Sequence, residues 1–134
     1  MYLRAFTDVY DGIRGLLFPQ RYEFGFTADM DNADFPPALL DGFRAMFATD
    51  VSWRKPSATQ RRRFMAMRDH LGADNLIAVS VVERQEFWVM DNDWAGFPDP
   101  AQFLFVGFAR NKSIVAAGRF EDWPDNWQRE ETKG

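Results

Sequence analysis

A single histidine carries most of the catalytic chemistry that this sequence offers. His70 is the only histidine in the chain, and the chain contains no cysteine. A metal site with two histidines and a thiolate nucleophile are therefore both excluded. We predict that His70 lies near the C-terminal end of a helix, where a positive imidazole favours the helix dipole. The alternative is a general base, which requires a carboxylate partner.

Two acidic loops contain the residue types that bind calcium. Residues 91–96 begin like an EF-hand, with Asp at positions one and three and Gly at position six. Position five is Ala95 and position twelve is Gln102, so the bidentate glutamate that completes the ligand shell is missing. The loop of residues 29–34 lacks even the glycine. We interpret both loops as solvated turns, in which Asp and Asn bond to nearby backbone, and we predict no metal and no cofactor.

Basic residues concentrate in one stretch, which contains Arg54, Lys55, Arg61, Arg62, Arg63 and Arg68. A nucleic-acid site would need aromatic rings interleaved with these charges for base stacking, and Phe64 is expected in the core instead. The whole chain has 20 acidic and 16 basic residues, a net charge of −4, which repels nucleic acid. We interpret this stretch as a solvated or internally paired helix face and predict no nucleic-acid binding. A protein interface is the alternative.

Tryptophan and acidic residues occur together in the second half of the chain. Large rigid indole rings are favoured at binding hot spots, and carboxylates beside them attract a basic partner. The alternative is that the indole rings fold back and seal the core at the edge of the sheet. The predicted protein-binding residues are Asp91, Asp93, Trp94, Glu121, Asp122, Trp123, Asp125 and Trp127.

Hydrophobic periodicity predicts three helices. They are residues 3–17, a helix from the Pro36-Pro37 pair to about residue 48, and a helix between Ser57 and Gly72. Proline is tolerated in the first turn of a helix because that turn needs no amide donor. Ser57 with Gln60 has the spacing of a capping box, and Gly72 provides a C-terminal stop.

Alternating or β-branched segments predict five strands, which are residues 22–28, Leu76–Val82, Glu86–Met90, Gln102–Ala109 and Ser113–Phe120. Short polar turns at residues 83–85 and 110–112 join the last four into hairpins. The order of the elements predicts an α+β fold, with an antiparallel sheet of about four to five strands and the N-terminal helices packed on one face.

Length and composition predict one globular domain that covers residues 1–134. The chain is 46% hydrophobic and 27% charged, which excludes a disordered or fibrous class. No apolar run approaches the ~20 residues that span a bilayer, and the N-terminus does not resemble a signal peptide. We therefore expect a cytoplasmic protein with no membrane contact.

Three classes of function remain open. The favoured one is a small acidic protein-binding or inhibitor module, similar to an immunity protein or antitoxin, that blocks a basic partner. The second is a small-molecule-binding or enzymatic domain with a pocket between helices and sheet, where Asp91 or Asp93 and His70 are candidates. The third is a structural or assembly subunit whose strands pair edge to edge.

Overall fold

The computed structural model describes residues 30–93 and 101–130. A 3₁₀-helix at Asn32–Asp34 precedes two α-helices, α1 (Pro37–Phe47) and α2 (Ala58–Leu71). Neither described helix is long and apolar enough to cross a membrane. The predicted helix at residues 3–17, the predicted strand at residues 22–28 and Trp94 lie outside the described residues.

The ends of α2 have the local chemistry that the sequence predicts. The Ser57 hydroxyl accepts a hydrogen bond from the Gln60 amide at 3.1 Å, and the Gln60 side chain accepts one from the Ser57 amide at 2.8 Å. Gly72 ends the helix in the left-handed region, with φ of 64°. The predicted capping box and glycine stop are therefore confirmed.

Six strands make up the rest of the described fold: β1 (Val51–Trp53), β2 (Asn75–Val82), β3 (Gln85–Asp91), β4 (Phe103–Phe108), β5 (Ile114–Phe120) and β6 (Trp127–Arg129). Strands β2 to β5 form one antiparallel sheet in chain order. The turn between β2 and β3 places both Glu83 and Arg84 at positive φ, as a two-residue hairpin turn requires. The predicted α+β fold with an antiparallel sheet is confirmed.

Both faces of this sheet are buried. Successive residues of a strand point to opposite faces, so Trp88 and Met90 of β3 pack in one cluster while Phe87 and Val89 pack in another. Helix α2 covers the first face with its buried side chains, among them Phe64. The second face carries what we call the aromatic cluster, whose rings are Phe43, Phe47, Trp53, Phe87, Phe103, Phe105, Phe120, Trp123 and Trp127.

Helix α1 packs closely on β5 because two glycines leave room for it. A Cβ atom at Gly42 would lie 2.8 Å from the Cβ of Ala116, and a Cβ atom at Gly118 would overlap the Phe43 ring. The missing side chains therefore let the Phe43 ring enter the aromatic cluster, where its centroid lies 5.3 Å from that of Phe105.

A short parallel pair of strands, which the sequence does not predict, closes the second face. Strands β1 and β6 pair from Val51 with Trp127 to Trp53 with Arg129. Directly after β1, Arg54 exchanges two backbone hydrogen bonds of 2.9 Å with Val79 of β2. The parallel pair is thereby attached to the outer edge of the antiparallel sheet.

One carboxylate joins α2 to the sheet. Glu86 of β3 accepts hydrogen bonds of 2.9 Å from the Trp88 indole, from the Gln60 amide and from the Arg63 guanidinium. Burial raises the pKa of Glu86, but the three donors and the Arg63 charge outweigh it and hold the pKa below its ordinary value. The charged form of Glu86 is therefore the one that stabilises the packing of α2 on the sheet.

The lowered pKa of Glu86 predicts a specific dependence of stability on pH. The contribution of this group is present above its unfolded pKa, near the ordinary value of 4.5, and is lost as the pH falls through the lower folded pKa. We expect Glu86→Gln to reduce the free energy of unfolding by roughly 1–2 kcal/mol at neutral pH, and by less below pH ~4. Urea titrations across this range measure the difference.

Glu83→Gln is the matched control, since it makes the same change at an exposed carboxylate of the neighbouring turn. Equal losses in the two variants, or a loss at Glu86 that does not shrink in acid, would contradict the assigned role of the charged form.

Candidate functional site

Strand register brings most of the predicted acidic binding residues to one end of the antiparallel sheet. Asp91 is the last residue of β3 and pairs with Phe103, which in turn pairs with Phe120, the last residue of β5. Neighbouring strands lie about 5 Å apart, so the end of β3 and the end of β5 are about 10 Å apart. Glu121 and Asp122 follow β5 directly and are exposed.

A third chain segment adds a carboxylate that the sequence analysis did not single out. Asp74, which precedes β2, accepts a hydrogen bond of 2.9 Å from the Asp93 amide, and its own amide donates to the Asp91 carbonyl at 3.0 Å. The Asn75 side chain donates to Asp91 at 2.9 Å and to Asp93 at 2.7 Å. These bonds fix three carboxylates beside each other.

We call the set of Asp74, Asp91, Asp93, Glu121 and Asp122 the acidic end. Within residues 30–93 and 101–130, no group of three or more acidic or histidine side chains has an arrangement that would hold a metal ion. The members of the acidic end are positioned by strand ends and by Asn75, and Asp93, Glu121 and Asp122 are exposed to solvent.

The loop before α1 lies next to the same end of β5. The Asn32 side chain accepts a hydrogen bond from the Arg119 amide at 2.7 Å and donates one to the Arg119 carbonyl at 3.2 Å. Within the loop, Asp31 accepts from the Ala33 amide at 3.0 Å, and Asp34 accepts from the Asp31 amide at 3.0 Å. The predicted local turn bonding is confirmed for Asp31 and Asp34, whereas Asn32 bonds to the distant strand β5.

Trp127 does not stand in solvent, so of the two interpretations that the sequence offers, an indole that folds back and seals the core holds for this residue. It is 3% exposed, because β6 pairs with β1 and the alternation of the pair turns Trp127 toward the core. Its Nε1 donates to the Met46 carbonyl at 2.9 Å. Five rings surround it with centroids 4.9 to 5.8 Å away: Phe47, Trp53, Phe105, Phe120 and Trp123.

Trp123 is partly buried at the border of the aromatic cluster. Its Nε1 donates to the Trp127 carbonyl at 2.8 Å, and the Arg129 guanidinium carbon lies 4.7 Å from its ring centroid. Asp125 is exposed but follows Trp123 toward β6, so the strand register does not place it at the acidic end.

The side chains of Asn126 and Trp127 donate hydrogen bonds to backbone carbonyls at the C-terminal end of α1. The last carbonyls of a helix have no partner within it. The Asn126 side chain donates to the Phe47 carbonyl at 3.3 Å and to the Thr49 carbonyl at 2.8 Å, while Trp127 donates to Met46. The segment that contains Trp123 and Trp127 is thus attached to α1 by hydrogen bonds as well as by ring packing.

His70 lies in the last turn of α2, as the sequence predicts, and is partly buried. Asp91 and Asp93, which the sequence offered as catalytic partners, bond to Asn75. The described acidic end offers carboxylates for electrostatic recognition.

No protein family, no curated protein and no solved structure matches this chain. The fold and the site define an α+β domain with an acidic sheet end, and function is inferred from that geometry.

The burial of Trp127 predicts a large effect on stability. Trp127→Phe removes the donor to Met46 and part of the ring, so we expect the free energy of unfolding to fall by about 1–3 kcal/mol. The adjacent Gln128→Ala, at an exposed position of the same strand, is expected to stay within about 0.5 kcal/mol of the wild type. Urea denaturation measures both, and equal small effects would show that Trp127 is not part of the core.

Proposed function

We propose that the protein binds a basic protein partner through the acidic end. The observation that supports this most directly is the convergence of carboxylates from three separate chain segments, at residues 74, 91–93 and 121–122, on one end of a rigid sheet. Complementary charge attracts a partner from a distance and fixes its orientation on contact. The net charge of −4 acts in the same direction.

Preorganisation distinguishes this surface from a random group of surface charges. Asp91 and Asp93 are held by Asn75, and Asp74 is held against the Asp93 amide, so these side chains lose little freedom when a partner binds. Affinity improves when groups are already fixed in the bound conformation. Lysine or arginine side chains of the partner are the complementary groups.

The tryptophans have two different roles in this proposal. Trp127 is a core residue that holds the segment after β5, and it makes no contact with the partner. Trp123 is partly exposed and follows Asp122 directly, so it offers an apolar contact beside the carboxylates.

An inhibitory role is the form of this function that we favour, in which the protein blocks a basic partner as an immunity protein or antitoxin does. A small acidic chain suits a one-to-one blocker, because binding needs only a surface and no catalytic group. The absence of cysteine fits action in the reducing cytoplasm. We propose no nucleic acid and no membrane as partner.

Charge reversal at the acidic end tests the proposal. We expect Asp122→Lys to lower the capture of the partner by roughly tenfold, equivalent to about 1.4 kcal/mol, and to leave the fold intact because Asp122 is exposed. Capture from a lysate of the native source cells, quantified by mass spectrometry, is the measurement. The captured protein should be basic and should dissociate as salt rises.

Glu83→Lys is the matched control, since it makes the same charge change in the turn at the opposite end of the sheet. If both variants retain the same proteins as the wild type, or if the proteins lost by Asp122→Lys are acidic, the proposed surface is wrong.

A further inference from the structure

A cavity of about 290 Å³ lies beside the parallel strand pair, and its wall is basic. Its lining includes four cations, Arg54, Lys55, Arg61 and Arg129, and one carboxylate, Glu130. Three positive charges are therefore in excess on a chain whose net charge is −4. The excess is local and comes from three separate parts of the sequence.

The backbone explains why these cations meet. Arg54 follows β1 and is fixed by its two hydrogen bonds to Val79, while Arg129 ends β6, which pairs with β1. Arg61 lies in the second turn of α2, the helix that begins just after Pro56, another residue of the wall. The N-terminal end of α2 thus adjoins the cavity, and its dipole adds positive potential there.

The cations of the wall are not neutralised by partners within the described residues. None of Arg54, Lys55 and Arg61 forms an ion pair there, and Arg129 stacks on Trp123. One Glu130 oxygen already accepts a hydrogen bond from the Lys55 amide at 3.1 Å. Arg63, by contrast, is the member of the basic stretch that pairs with a carboxylate, Glu86, at 2.9 Å.

A buried donor in the same wall has no acceptor. Trp53 lines the cavity and is 2% exposed, yet its Nε1–H has no hydrogen-bond partner among the described residues. Buried polar groups are normally paired, because an unpaired one loses its hydrogen bonds to water without replacement. The Nε1 atom is itself closed to solvent, so it does not open into the cavity, and the charges of the wall carry the chemistry there.

We propose that this cavity binds a small phosphorylated molecule. Guanidinium groups match phosphate oxygens with two parallel hydrogen bonds, and three of the four cations are arginines. The volume is at the lower limit for small-molecule sites, which span roughly 300–1,000 Å³. The site shares no residue with the proposed partner surface, although Arg129 of its wall stacks on Trp123.

The surroundings of the cavity favour a small molecule over a nucleic acid. Leu76 lines the cavity, and the preceding Asn75 bonds to Asp91 and Asp93. An extended polyanion that left the cavity on this side would meet the carboxylates of the acidic end. A compact phosphate-bearing molecule avoids that repulsion.

Calorimetric titration of the full chain with pyrophosphate and with orthophosphate, at low salt, tests the site. We expect saturable binding of pyrophosphate at one site, and about tenfold weaker binding by Arg61→Gln, since one charge-assisted contact is lost. Arg62→Gln is the matched control: it removes the same charge from the next residue of the helix, which is exposed and not part of the wall. It should change affinity by less than about twofold.

Arg54→Gln provides a second variant from another element, and it should weaken pyrophosphate binding to a similar extent because its backbone bridge does not depend on the side chain. Absence of saturable binding of either anion by the wild type, or an equal loss in Arg62→Gln and Arg61→Gln, would overturn the proposal. It would also be overturned if a short single-stranded oligonucleotide bound the wild type more tightly than pyrophosphate and lost that binding in Arg61→Gln.

Discussion

The packing of Trp127 next to β1 fixes the last described segment of the chain, and part of each charged surface depends on it. Trp127 lies among five aromatic rings and bonds to the Met46 carbonyl, while its own carbonyl accepts the Trp123 indole. This arrangement aligns β6 with β1 and so places Arg129 beside the cavity. It also fixes the path of the chain after β5, where Glu121 and Asp122 belong to the acidic end.

The two surfaces carry opposite charge although they lie close together in the fold. Neighbouring residues of β2 contribute to both, since Asn75 orients carboxylates of the acidic end while Leu76 lines the basic cavity. A basic protein partner is attracted to the first surface and repelled by the second, and a phosphate group experiences the reverse. Under the two proposals, one small domain would recognise two chemically different ligands through different residues.

Sequence reasoning succeeds where the determinants are local. The capping box of Ser57 and Gln60 is encoded within a few residues, and so is the turn predicted at residues 83–85, which the structure confines to Glu83 and Arg84. The fold class follows from the order of such elements. The β1–β6 pair was not predicted, because each strand has three residues and they pair across more than half of the chain. The burial of Trp127 depends on that pairing, so its sequence neighbours alone could not decide between an exposed indole and one that seals the core.

The candidate site was predictable to a similar degree. Asp91, Asp93, Glu121 and Asp122 were predicted from composition, but Asp74 and the orienting Asn75 become visible only through strand register. The residues of the basic stretch also have different environments in the fold. Arg63 pairs with Glu86, whereas Arg54 and Arg61 lie with Arg129 at the cavity. The local spacing of the sequence does not show which acidic residues, or which basic residues, come together in the fold.

Hydrogen exchange of the indole Nε1–H groups, followed by NMR with assignments from single Trp→Phe variants, tests the central claim most directly. The account predicts that the Trp127 indole proton exchanges at least about 100-fold more slowly than that of free tryptophan, because it is buried and bonded to Met46. Exchange of the Trp127 proton at the rate of free tryptophan would contradict the account, since the segment after β5 would then not be held in the core.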